Sequence, residues 1–206
     1  MVAQTTTIET VTVVRPLKII SLLCFIANIV LLIVAISSVN WIKTDSFHIG
    51  LWEECADNTE IARMSPVPGA PPAGTCHKRR SAPYITAVTV LSLIALFGTA
   101  FAAIANIVGL IYNDPHRKHL FYKIATYLAL LMVLLELICV IIFPVCFFVR
   151  MSEFGTRTWK LDWGYGLDFC ATLFMFVAVL LLICDKEHDE VYYKEKTVYN
   201  PPTEFA

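Results

Sequence analysis

The chain has 206 residues, of which 57% are apolar and only 16% charged, with a mean hydropathy of +0.66. Soluble domains carry about 25% charged residues, so this composition argues against a water-soluble globule. A formal net charge of −1 gives no basic excess pointing to nucleic acid, and the apolar fraction excludes intrinsic disorder for most of the chain.

The first long uncharged stretch runs from Ile19 to Val39, 21 residues. As a helix it measures about 31 Å, the thickness of a bilayer's hydrocarbon core. A signal peptide is the rival reading, because Ala35, Ser37 and Ser38 resemble a small-residue cleavage site. The apolar run exceeds the roughly 7 to 15 residues of a signal h-region, however, which favours a span. A 45-residue polar loop, Asn40 to Tyr84, follows.

Within that loop Phe47, Ile49 and Leu51 alternate with His48 and Gly50, the period of a half-buried strand, and predict a small antiparallel sheet seated on the helices. Trp41 and Trp52 stand where an indole buries its ring and keeps its N–H on headgroups or backbone. They are read as anchors and packing in preference to direct partner contacts. Ser65-Pro66-Val67-Pro68-Gly69-Ala70-Pro71-Pro72 predicts an exposed, mobile flap, and Cys76-His77-Lys78-Arg79-Arg80 a solvated rim or, alternatively, a fixed positive patch.

Further spans are expected over Ile85–Tyr112, Ile124–Val149 and about Tyr165–Cys184. In the second, Ala95-Thr99-Ala103, Gly98-Ala102-Asn106 and Ala105-Gly109 recur at four-residue steps and permit close helix packing, with a lateral homo-oligomer as the lesser reading. The link Asn113–Lys123 is short and basic, suited to anionic membrane lipids.

Glu136 is the sharpest anomaly, 13 residues from Lys123 and 14 from Arg150. Ionised there it would cost about 2.5 to 3.5 kcal/mol on translocon scales, so it must be neutral, paired or in a wet cavity. Interhelical hydrogen bonding is preferred to an ion or proton relay, and the expected partner is Asn28, at similar depth in the first span. Pro144 removes a helical donor and should kink the outer half of the third span. The second loop spans residues 150–164.

The tail, residues 185–206, holds six acids against three lysines and contains Tyr192, Tyr193 and Tyr199. It reads as disordered and open to adaptors. Its end, Glu204-Phe205-Ala206, is the candidate ligand for a PDZ-type sheet edge, and Cys184 a candidate for acylation, with an inert interfacial thiol as the alternative.

Four spans put both termini on one side. Eight of the sixteen Lys and Arg fall on each side, so charge does not orient the chain. Cysteine does: of seven, only Cys55 and Cys76 lie outside the spans and their edges. Two thiols isolated in one polar loop read as a disulfide, which persists in an oxidising exterior. The loops are then extracellular and residues 1–18 and 185–206 cytosolic. A zinc site from Cys55, Cys76, His77 and His48 is the competing use, without the CxxC spacing of structural zinc.

The expected fold class is therefore a mainly α membrane protein, a four-transmembrane-helix bundle over residues 19–184 with a small extracellular antiparallel β-sheet. Trp41, then Gly50-Leu51-Trp52, then Cys55 and Cys76, resemble the W…GLW…C…C signature of the first extracellular loop in the claudin superfamily, which includes claudins, peripheral myelin protein and epithelial membrane protein. Arg15-Pro16-Leu17-Lys18, Phe143-Pro144-Val145, Asp162-Trp163-Gly164-Tyr165-Gly166-Leu167 and Ala171-Thr172-Leu173-Phe174 extend the resemblance toward one junctional branch, covering about Arg15 to Tyr193. The resemblance implies a plasma-membrane protein of cell–cell junctions that organises contacts beside cadherin complexes and the actin cortex.

No nucleophile and base share a loop, no glycine run cradles phosphate, and no cofactor is implied, so catalysis is the least supported class. The contest lies between two others. One is a junctional adhesion protein, with junctional membrane proteins of the same or the opposing cell and a cadherin-linked or PDZ adaptor as partners. The other is an accessory subunit or pore-forming element for ion permeation, which Glu136 alone favours.

Overall fold

A computed structural model describes residues 6–10, 16–58, 72–79, 82–112, 115–150, 158–184 and 193–197. Among them four helices are long and apolar enough to cross a membrane: α1, Pro16–Ser37; α2, Pro83–Ile111; α3, Pro115–Arg150; and α4, Trp163–Cys184. Their outward faces carry Leu23, Ile26, Val30, Phe97, Phe101, Leu134 and Phe176, all exposed. Soluble proteins do not leave such large apolar belts uncovered, and a multi-pass membrane protein does.

α1 packs chiefly along α4, and α2 along α3. Small side chains allow the approach: Ala95, Thr99, Ala102, Ala103 and Asn106 on α2 are buried, as the four-residue stripe anticipated. Gly98 receives the end of Met132, and Gly109 the ring of Tyr122.

The boundaries differ from expectation at the link. The sequence predicts a link reaching to Lys123, but α3 already starts at Pro115, so His116 to Lys123 form helical turns and the stretch between the two helices shrinks to residues 112–114. Proline at the first helical position is pre-organised for the helix, and charge limits only the part within the hydrocarbon. Pro144 lies inside α3, which continues through it to Arg150.

The segments joining α1 to α2 and α3 to α4 build a five-stranded antiparallel sheet from β2, Ile42–Lys43; β3, Phe47–Ile49; β4, Glu53–Ala56; β5, Cys76–Lys78; and β6, Lys160–Leu161, in the spatial order β5-β4-β3-β2-β6. The alternation at Phe47 to Ile49 falls on β3 with both apolar residues buried, whereas Leu51, equally buried, has left the strand. β6 comes from the second loop, pairing Ile42 with Leu161, so both loops build one sheet.

Strands β1, Thr6–Thr10, and β7, Tyr193–Thr197, pair antiparallel with Thr6 opposite Thr197 and Thr10 opposite Tyr193. Five residues of the tail expected to be disordered are therefore in a strand. The tail's average composition hides a short run with β-favouring Tyr and Thr, which finds a Thr- and Ile-containing partner.

The interior has two apolar clusters. One, at the sheet end, joins Leu32, Trp41, Phe47, Ile85, Phe143 and Phe147. The other, toward the opposite end, joins Phe25, Ala102, Met132, Met175 and Leu182.

Candidate functional site

The sheet is fixed to the bundle by its backbone and by two indoles. Trp41 follows α1 by a short turn, is fully buried, and its Nε1–H donates to the Ala35 carbonyl at 2.7 Å. Its ring meets Phe143 of α3 edge-on at 4.8 Å between centroids and Tyr165 of α4 at 6.3 Å. Trp52 donates to the Ile36 carbonyl at 2.9 Å but stays 47% exposed. Both therefore anchor through backbone contacts, Trp41 as core and Trp52 at the surface.

Gly50 lies against the chain leaving α1. A Cβ there would fall 2.5 Å from the Val39 Cα and 2.6 Å from the Ser38 carbonyl oxygen. With Leu51 fully buried, the Gly50-Leu51-Trp52 run is the hinge by which the β3–β4 hairpin lies down on α1. Such a close approach of two backbones requires glycine.

Cys55 of β4 and Cys76 of β5 sit directly opposite one another in the ladder and are joined by a disulfide. The bond occupies both sulfurs, which removes them as zinc ligands and leaves His48 in a different role, its Nδ1 3.0 Å from Asp57 Oδ1. Glu54, although in a polar loop, is fully buried. Arg79 is not a free rim cation: Nε donates to the Leu51 carbonyl at 2.5 Å and a terminal nitrogen to Thr86 Oγ1 at 2.9 Å. Burial lowers its guanidinium from the ordinary value, with Tyr84 acting the other way, and arginine remains charged at neutral pH. His77 and Lys78 are exposed on the edge strand β5. A bond from Thr158 to Asp45 ties the second loop to the first.

A second constellation lies within the bundle, between the two apolar clusters. The Asn28 amide nitrogen on α1 donates to Glu136 Oε1 and Oε2 on α3 at 3.0 and 3.1 Å, as depth in the spans led us to expect. It also reaches the Ala171 carbonyl of α4 at 2.8 Å. Both side chains are buried. Asp168, about one turn inside a span starting near Tyr165, joins this node: it is 1% exposed and lies within electrostatic reach of Glu136. Helix α4 starts at Trp163 and carries it inward by more than a turn, and a depth count from that start would have found it.

Cys184, the acylation candidate, is exposed at the end of α4. Residues 65–71 and Arg80, which hold most of the proline-rich flap and part of the basic rim, lie outside the described residues, as do Tyr192, Tyr199 and the Glu204-Phe205-Ala206 end. No protein-family model matches the chain.

Proposed function

We propose that this chain is a claudin-like tetraspan protein of cell–cell junctions in the plasma membrane, organising adhesion and junction–cytoskeleton linkage without catalysis. The observation that carries the reading is the shared sheet: strands from both loops, stapled at Cys55–Cys76 and keyed by Trp41 and Gly50, make one rigid platform above four apolar helices. A platform fixed at both loops presents a pre-organised surface, which lowers the ordering cost of contact with another protein. The W…GLW…C…C resemblance to the claudin superfamily supports the same reading.

In this reading the platform is extracellular and both termini cytosolic. The partners are membrane lipids, junctional proteins of the same or the opposing cell, further copies of the chain, and a cadherin-linked or PDZ adaptor at the tail. The test is the position of the tagged full-length chain in an epithelial monolayer. Concentration at cell borders beside cadherin supports the proposal, and uniform or intracellular distribution overturns it.

The alternative, an accessory subunit or pore-forming element for ion permeation, draws on the polar node of Asn28, Glu136 and Asp168. Co-expression with a candidate channel separates the two, because a subunit alters the current and a junctional organiser leaves it unchanged.

A further inference from the structure

We infer that Glu136 and Asp168 together form a proton-binding site, loaded from solution at neutral pH, that locks α1, α3 and α4. The inference does not depend on the junctional reading. It rests on a shortage of donors and of positive charge. The Asn28 amide has two N–H hydrogens. It faces three oxygens, Glu136 Oε1, Glu136 Oε2 and the Ala171 carbonyl, while its own Oδ1 and Asp168 Oδ2 are buried without a partner. Two hydrogens thus serve three oxygens while two further buried oxygens find no donor, and buried acceptors left so are costly.

No basic side chain relieves the charge. Residues 19–37, 84–111, 124–149 and 163–184 contain no Lys, Arg or His. The titratable groups facing the pair are Cys139 on α3 and the Tyr165 hydroxyl on α4, which donates to the Val140 carbonyl at 2.9 Å. α1 presents Asn28, and α2 presents Ser92 beside Cys139; neither ionises. Every ionisable neighbour is therefore neutral or negative when it titrates, so the compensating charge must come from solution.

A proton fits better than a metal ion. It needs no cavity and converts a carboxylate oxygen into the donor that the node lacks. A metal ion needs a shell of oxygens, whereas the group aimed at Glu136 is an amide nitrogen with its hydrogens forward. Two carboxyls within electrostatic reach also oppose double ionisation. Loss of the proton leaves like charges buried among the helices, and the bundle loosens.

Infrared spectroscopy of the full chain in lipid vesicles tests this. At neutral pH the protein should show the carbonyl stretch of a protonated carboxyl, shifted on deuteration, and the E136Q/D168N double variant should lose it. The amide variant keeps shape and hydrogen-bonding capacity. In a parallel measurement on the wild-type chain alone, the thermal unfolding midpoint should fall as pH rises above neutral. It should be the same in sodium and potassium at constant ionic strength. Absence of the band in the wild type, its persistence in a folded double variant, or a midpoint that follows sodium instead of pH overturns the proposal.

Discussion

Trp41 folds back on the helix that delivers it: its indole N–H bonds the Ala35 carbonyl, six residues earlier, an acceptor in the last turn of α1 that it shares with the Ser38 backbone N–H. One side chain thereby caps a helix, fills the sheet-end core and sets the direction in which the loop departs. Trp41→Ala should destabilise the protein by about 3–5 kcal/mol, the cost of emptying so large a buried site. Trp41→Phe keeps much of the volume and should lose about 1–2 kcal/mol, mainly the hydrogen bond. Unfolding of the three proteins in detergent, followed by tryptophan-independent circular dichroism, gives the order.

Three glycines should respond to alanine in a fixed order. Gly50→Ala drives a methyl into backbone atoms of Ser38 and Val39 and should cost about 1–3 kcal/mol. Gly98→Ala meets the flexible end of Met132, which can swing aside, and should cost less. Gly166→Ala, in α4 with nothing within 4 Å, should stabilise by about 0.5–1 kcal/mol through helix propensity. Equal midpoints for Gly50→Ala and Gly166→Ala would refute the backbone contact.

Removing the disulfide should act locally. Cys55→Ser with Cys76→Ser should destabilise the sheet by about 2–4 kcal/mol, since the bridge constrains a stretch of chain with a sequence separation of 21. The expected readout is faster proteolysis between residues 56 and 76 while the apolar helices stay intact, together with absence of the mobility difference expected between reduced and non-reduced wild type.

The Asn28–Glu136 contact should be a coupled pair. Asn28→Leu takes the donor from three buried oxygens and should cost about 1–2 kcal/mol. In a cycle with Glu136→Leu the double variant should lose less than the sum, by about 0.6 kcal/mol or more. Strict additivity would show that the two do not interact.

The sequence carried the parts of this fold that are written locally. Four apolar runs give four helices, the alternation at Phe47–Ile49 gives β3, and two residues at matching depth, Asn28 and Glu136, meet. What it hid was set by other parts of the chain. Lys160 and Leu161 carry no signal for a strand that completes a sheet begun more than a hundred residues earlier. Asp168 stands about one turn inside a span begun near Tyr165, and hydropathy alone does not show that a helix begun at Trp163 turns it fully into the bundle. Lys118 and Lys123 ended the third span as hydropathy defines it without ending the helix.

The pairing of Ile42 with Leu161 makes neither loop a module. A first loop transplanted from another protein would arrive without the edge strand lent to it by the second, exposing β2's outer row of amides to whatever extended peptide is near. Chimeras that exchange one loop alone should misassemble or clump, and only those that move the two as a set should reach the cell surface in good order.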